Sequence, residues 1–217
     1  MKRIIPATII AIIGITIAYF MIDQPKKLKV YNPIDINPEL VDESVRKVDK
    51  YHRVGAFKLT NQDGQLITEN NYRNKIYITD FFFVTCPTIC PKMTDQMHRV
   101  YNEFKANDDI MFLSHTVMPE ADSVPVLKEY ANKLNVNANK WNFVTGDKKQ
   151  IYNLARKTYF AAITEGDGGV NDFIHTENFV LVDKEKRLRG FYDGTSKKDV
   201  DRLIEDINAL LYEYKDN

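Results

Sequence analysis

The chain has 217 residues, 44% of them hydrophobic and 12% aromatic, enough for one ordinary domain that buries a core without help from metals or disulfides. Thirty basic residues offset thirty acidic ones, which excludes the strongly basic surface of a nucleic-acid binder and any polybasic mode of membrane contact.

Lys2 and Arg3 precede a charge-free run over residues 4–22 that is rich in isoleucine. At 1.5 Å per residue a helix of that length reaches roughly 28 Å, close to the thickness of a bilayer core. Ala18-Tyr19-Phe20 lacks the small-x-small pattern of a cleavage site, so the run is expected to stay as an anchor. No cysteine follows it closely, which argues against a lipoprotein. The expected organisation is an anchor over residues 1–23, a stalk over 24–53 and one folded domain over 54–217. Pro25, Pro33 and Pro38 keep the early stalk irregular, and residues 39–50 have the pattern of a short polar helix.

From Val54 two periodicities alternate. Residues 57–60 and 65–67 flank Asp63-Gly64, a hairpin signal. Residues 76–84 are apolar, aromatic and β-branched, as in a buried central strand. Residues 91–104 carry Met93, Met97, Val100 and Phe104 on one helical stripe. Then come a strand over 110–117, a helix over 124–134, a short strand over 141–144 and a helix over 148–159. A second hairpin spans 179–182 and 188–192, and an amphipathic helix over 199–214 closes the chain. This order predicts an α/β protein: a thioredoxin-like fold whose central mixed sheet, flanked by helices, is parallel in its centre and antiparallel at one side. An N-terminal β-hairpin and the N-terminal transmembrane helix complete the expectation.

The two cysteines lie in Val84-Thr85-Cys86-Pro87-Thr88-Ile89-Cys90-Pro91-Lys92-Met93, between the buried strand and a helix. Pro91 suits the first helical position, which would make Cys90 the N-cap and expose its thiol to the positive end of the helix dipole. A thiol so placed favours thiolate, the form that attacks a disulfide or binds a soft metal such as Cu(I). A structural disulfide is the plain alternative, but a loop this short gains roughly 2 kcal/mol from closure. A structural zinc site would need four ligands, and there is no second cysteine pair.

Of four histidines, His98 falls about 12 Å along the helix from Cys90, too far to share a metal with it. His52 sits in a polar stretch and is expected in solvent. His115 ends a parallel strand and stays in reserve. His175 precedes the strand that begins near Phe179; if that strand is antiparallel to the central ones, His175 shares a sheet edge with Cys86.

With these residues in view, the chain resembles the SCO/SenC family of copper-binding proteins from about Gly55 to the last helix. The resemblance rests on the Phe-rich strand leading into Cys86-Pro87-Thr88-Ile89-Cys90-Pro91. It is supported by the stretches at 119–130 and 141–146 and by His175 before a strand. It implies a thioredoxin-like fold, an N-terminal anchor, copper held by Cys86, Cys90 and His175, and a role in assembling the copper centre of a terminal cytochrome oxidase. Localisation would be a bacterial cell membrane, single-pass, with the domain on the extracytoplasmic side. Thr88, Ile174, Met118 and Ala121 depart from the charged residues common in that family, and Asp172 or Glu177 would then orient the His175 ring. Asp80, six residues before Cys86, resembles in spacing the buried acid of thioredoxins, which assists proton movement at a dithiol; an outward-facing strand residue is the other reading. The competing activity is that of a thiol:disulfide oxidoreductase using Cys86 and Cys90 as a redox-active pair.

Overall fold

A computed structural model describes residues 9, 12–15, 27–41, 43–162, 166, 168, 169 and 172–215. Most of the apolar run at 4–22, and with it the expected anchor, lies outside the described residues. Among those described, no helix is long and apolar enough to cross a membrane.

Seven strands form one sheet: β1 (Lys58–Asn61), β2 (Leu66–Thr68), β3 (Ile76–Phe82), β4 (Ile110–Thr116), β5 (Trp141–Thr145), β6 (Asn178–Val182) and β7 (Leu188–Asp193). Their order across the sheet is β2-β1-β5-β4-β3-β6-β7. Strands β3, β4 and β5 run parallel, and β6 returns antiparallel against β3. Every residue of β3 is buried, because helices cover both of its faces. The helices are α1 (Ile89–Phe104), α2 (Val124–Lys133), α3 (Lys148–Asn153) and α4 (Lys197–Glu213). Ile76, Ile78 and Phe82 pack with α1, α2 and α4 on one face, while Tyr77 and Phe81 pack with α3 on the other. A mixed sheet flanked by helices is consistent with the expected thioredoxin-like α/β arrangement.

The sheet departs from expectation at its far edge. Its flanks are antiparallel on both sides, since β1 pairs antiparallel with β5. Sequence alternation detects the β1–β2 hairpin but does not say which edge receives it. Side chains decide that: Gln62 donates to the Trp141 carbonyl at 2.8 Å and accepts from the Phe143 N–H at 2.9 Å, while Asn61 bonds Asn142 at 2.9 Å. Gly64 takes φ +73° in the turn, a conformation that favours glycine.

The stretch read as a stalk lies against the domain from residue 28 onward. Leu28, Ile36 and Val41 are buried, and Tyr31 bridges to Leu188. The polar helix expected over 39–50 is replaced by a single 3-10 turn, Pro38–Leu40, and further turns. Burying the scattered apolar residues of this segment outweighs the weak helical tendency of a short polar run.

Arg189 holds the segment down. Its guanidinium reaches Asp183 at 2.9 Å, Glu213 at 2.7 Å, and the carbonyls of Leu28 and Lys29 at 2.9 and 3.3 Å. Asp183 and Glu213 lie beyond the end of β6 and at the end of α4, so the chain enters the domain at the sheet end opposite Cys86. Removing one partner from a buried ion pair strands the other charge. Arg189→Met should therefore lower the unfolding free energy by roughly 3–5 kcal/mol and expose residues 27–31 to protease, as read by urea titration and limited proteolysis.

Candidate dithiol and metal-binding site

Strand β3 ends at Phe82, two residues earlier than the apolar run suggested, and the chain turns through Phe83–Thr85 into the cysteine segment. Asp122, buried in the loop after β4, fixes this turn. Its carboxylate accepts from the Val84 N–H at 3.1 Å and from the Thr116 hydroxyl. Burial pushes the Asp122 pKa up, and those two bonds oppose the shift.

The helix begins at Ile89 with Thr88 as N-cap, so Cys90 is the second helical residue and not the cap. The first four N–H groups of a helix have no partner within it, so a proline at the third position costs no hydrogen bond and does not have to mark the start. Thr88 makes no capping bond with its side chain. The acceptor is the Cys86 sulfur, which receives the Cys90 N–H at 3.5 Å and lies 3.8 Å from the Thr88 hydroxyl. Both cysteines are buried free thiols.

This geometry splits the two thiols. Burial works against a Cys86 thiolate, but bonds from the Cys90 thiol, the Thr88 and Cys90 backbone and the Thr88 hydroxyl outweigh it and bring the pKa to about 7. Burial pushes Cys90 up to about 12, helped by Cys86 and by the negative charge of Asp80. The thiol favoured for ionisation is thus Cys86, not the helix-borne Cys90. A sulfur that collects several donors gains more than one that sits within the helix among apolar neighbours.

Asp80 faces inward, on the α1 side of the sheet beneath Cys90. It accepts from Ser114, whose hydroxyl in turn receives the Trp141 indole N–H at 2.9 Å. Burial raises its pKa to about 7, against the Ser114 hydrogen bond and one from its own backbone. Of the two sequence readings, the outward-facing one fails.

His175 is exposed just before β6. The antiparallel register pairs Tyr77 with Val182 and Thr79 with Val180. Continued past the strand ends, it sets His175 level with Val84, two residues before Cys86. The edge-on contact of Phe83 and Phe173 at 5.4 Å ties the two segments together. The three residues therefore share one sheet end. Among the described residues, however, no three His, Cys, Asp or Glu side chains are already clustered as a metal site. The donors themselves suit copper: a sulfur that ionises near neutrality, a second thiol beside it, and an exposed imidazole.

The other histidines are structural. His115 is fully buried on the opposite face of the sheet, bonded to Thr79 at 3.1 Å and stacked on Phe81. Burial lowers its pKa to about 3, and its enclosure on the face away from the cysteines removes it as the reserve ligand. His52 is half-buried, not solvated: its Nε2 lies 2.8 Å from the Thr158 carbonyl, and its ring packs against Phe160. His98 bonds the Leu134 carbonyl at 3.0 Å. Asp172 is committed elsewhere, in a two-pronged buried ion pair with Arg156, so it is not a hydrogen-bond partner for the His175 ring. Glu177 is exposed. Asp122 and Arg156 were not singled out from sequence, because nothing local distinguishes them from solvated charges.

The family model described as SCO1/SenC matches residues 45–212. A SCO1 protein homolog of Bacillus subtilis is 31% identical over 160 residues, covering 73% of this chain and 82% of that one. Among solved structures, BsSco, a member of the Sco family of cytochrome c oxidase assembly proteins in which a disulfide switch was identified, is 30% identical with a TM-score of 0.63. The match covers 73% of this chain and 93% of that one. The ScoI of Arabidopsis thaliana, solved with copper bound, is 26% identical with a TM-score of 0.59, covering 74% and 99%.

Two measurements follow from the site. In the reduced chain, thiolate absorbance against pH should show one thiol near 7 and the other ionising only far into the alkaline range. Cys90→Ala should raise the Cys86 value, and Cys86→Ser should leave no thiol below the free value of about 8.5. Asp80 has a folded pKa above its unfolded one, so the stability its protonated form contributes is full below about 4 and lost as pH rises through about 7. Asp80→Asn should therefore be more stable than the parent at pH 8 by a few kcal/mol and near parity at pH 4, measured by urea unfolding; parity at both pH values would show Asp80 to be ionised without penalty.

On the match over residues 45–212 and on the identity to the Bacillus subtilis relative, this chain belongs to the SCO1/SenC family.

Proposed function

We propose that this protein binds copper as cargo through Cys86, Cys90 and His175 and helps to load the copper centre of a terminal cytochrome oxidase. The observation that carries this is the convergence of an easily ionised dithiol and an exposed imidazole on one sheet end, with β6 antiparallel to β3. Copper-bound structures of relatives, including yeast Sco1 at 28% identity and a TM-score of 0.55, support copper as the cargo. Soft thiolates hold Cu(I), and imidazole accepts either oxidation state. In this reading the exposed His175 side chain would turn toward the two sulfurs on loading. The run at 4–22 would anchor the protein in a bacterial membrane with the domain outside.

A second reading has its own support in the split of the thiols. As an oxidoreductase, the Cys86 thiolate would attack a disulfide sulfur of the target and form a mixed disulfide, expelling one target thiolate that takes up a proton. Cys90 would then lose its proton and attack Cys86, releasing the second target thiolate. The target gains two electrons and the domain becomes oxidised. Asp80 lies near enough to Cys90 to influence its ionisation.

His175 separates the two readings, since copper needs a third ligand and exchange needs only a thiolate and access. With full-length protein recovered from membranes, Cys86→Ser or Cys90→Ser should abolish tight copper binding. His175→Ala should weaken binding strongly, leave dithiol cycling intact and lower oxidase activity in cells, with partial rescue by added copper. Normal oxidase activity in His175→Ala together with failure of Cys86→Ser would assign the protein to disulfide reduction; normal copper affinity in His175→Ala would remove it as a ligand.

A further inference from the structure

His175 is carried on a segment fixed at both ends. Downstream, the Thr176 hydroxyl and the Asn178 amide both donate to the Ala161 carbonyl. Upstream, three residues before the histidine, Asp172 is held by a more elaborate device. The Arg156 guanidinium donates to both carboxylate oxygens at 2.6 and 2.7 Å, and the Gly168 N–H adds a third bond at 2.6 Å. The Tyr152 hydroxyl lies 3.2 Å from the Asp172 carbonyl and 2.9 Å from that of Val117, directly after β4. Arg156 also stacks over the Tyr152 ring.

Three features show that this arrangement is specified rather than incidental. Arg156 and Asp172 side chains are only 6% and 7% exposed, and a buried ion pair adds little net stability against an apolar pair of similar volume. Arg156 lies within a π-type turn, Leu154–Thr158, where the helix that begins at Lys148 changes its pitch; such turns re-aim side chains. Gly166 has φ +121°, a conformation that favours glycine, and a Cβ there would collide with the Asp172 carboxylate and the Arg156 guanidinium. The cost of desolvating two charges falls on the segment that presents the exposed histidine.

We infer that the Arg156–Asp172 pair, braced by Tyr152, is a positioning device that sets where His175 meets the dithiol and thereby the affinity for copper. This rests on the assignment of His175 as a copper ligand. Asp172 and Arg156 touch no metal in this account; they fix the backbone from which the imidazole swings, and Phe173 against Phe83 carries that position to the cysteine loop.

The test measures Cu(I) affinity of the full-length chain in detergent by competition with a chromogenic chelator. Arg156→Lys keeps the charge and loses the two-pronged geometry. The paired replacement Arg156→Met with Asp172→Leu removes both charges together and so avoids a stranded ion. Each should lower affinity about 10- to 100-fold, the range for groups that orient a metal-binding histidine, with unchanged circular dichroism and unchanged dithiol exchange rate. In a His175→Ala background the same replacements should cause no further loss. Full affinity in the Arg156 variants, or an equal loss with and without His175, would overturn the inference while leaving the ligand assignment standing. Normal affinity in His175→Ala alone would overturn both.

Discussion

Strand β3 is buried on both faces and paired on both edges, and this constraint governs everything at the functional end of the molecule. A strand with no solvent face must have its neighbours in one register, because a shift by one residue would exchange the side chains that meet the two helical layers. Parallel pairing with β4 brings the loop containing Asp122 to the end of β3, and antiparallel pairing with β6 brings in the segment containing His175. The cysteine turn is therefore met from both sides by chain segments distant in sequence. No flexible linker has to find the site.

Within that frame the two sulfurs are made unequal by hydrogen bonding, not by the helix dipole alone. Cys86 stands outside the helix and collects donors from its first turn; Cys90 is part of the helix and faces apolar neighbours. Asp80 sits beneath them in a low-dielectric layer, where a second negative charge further disfavours ionisation of Cys90. The result is a pair in which Cys86 is about half ionised near neutral pH while Cys90 stays protonated. That suits a site which must remain ready for a soft cation or for a disulfide.

The departures from the family's charged residues take on physical sense. Ile174 is buried in the layer beneath the sheet, so an acid there would have to be desolvated. Thr88 is exposed at the helix start, with its hydroxyl near the Cys86 sulfur. Besides Asp80, this end buries Asp122 and Asp172, and both are spent on holding backbone: one fixes the cysteine turn, the other the histidine loop.

Local pattern was enough for the strands and most helices of the domain, for their order, and for the dithiol, because periodicity and a strand-to-helix Cys-Pro turn are properties of adjacent residues. The position of His175 at the same sheet end was also legible, since it needs only the direction of one strand. What depended on tertiary structure is every assignment that turns on a partner distant in sequence. Asp80 could face either way until Ser114 and Trp141 were seen to receive it, and His115 looked like a strand-end ligand until Thr79 and Phe81 enclosed it. Residues 28–41 looked like a tether because prolines forbid regular structure, but Arg189, far along the chain, fastens their start to the sheet end away from the cysteines. Burial and charge pairing are set by the whole fold; a charged side chain in a one-dimensional sequence looks the same whether it meets water or an opposite charge in the core.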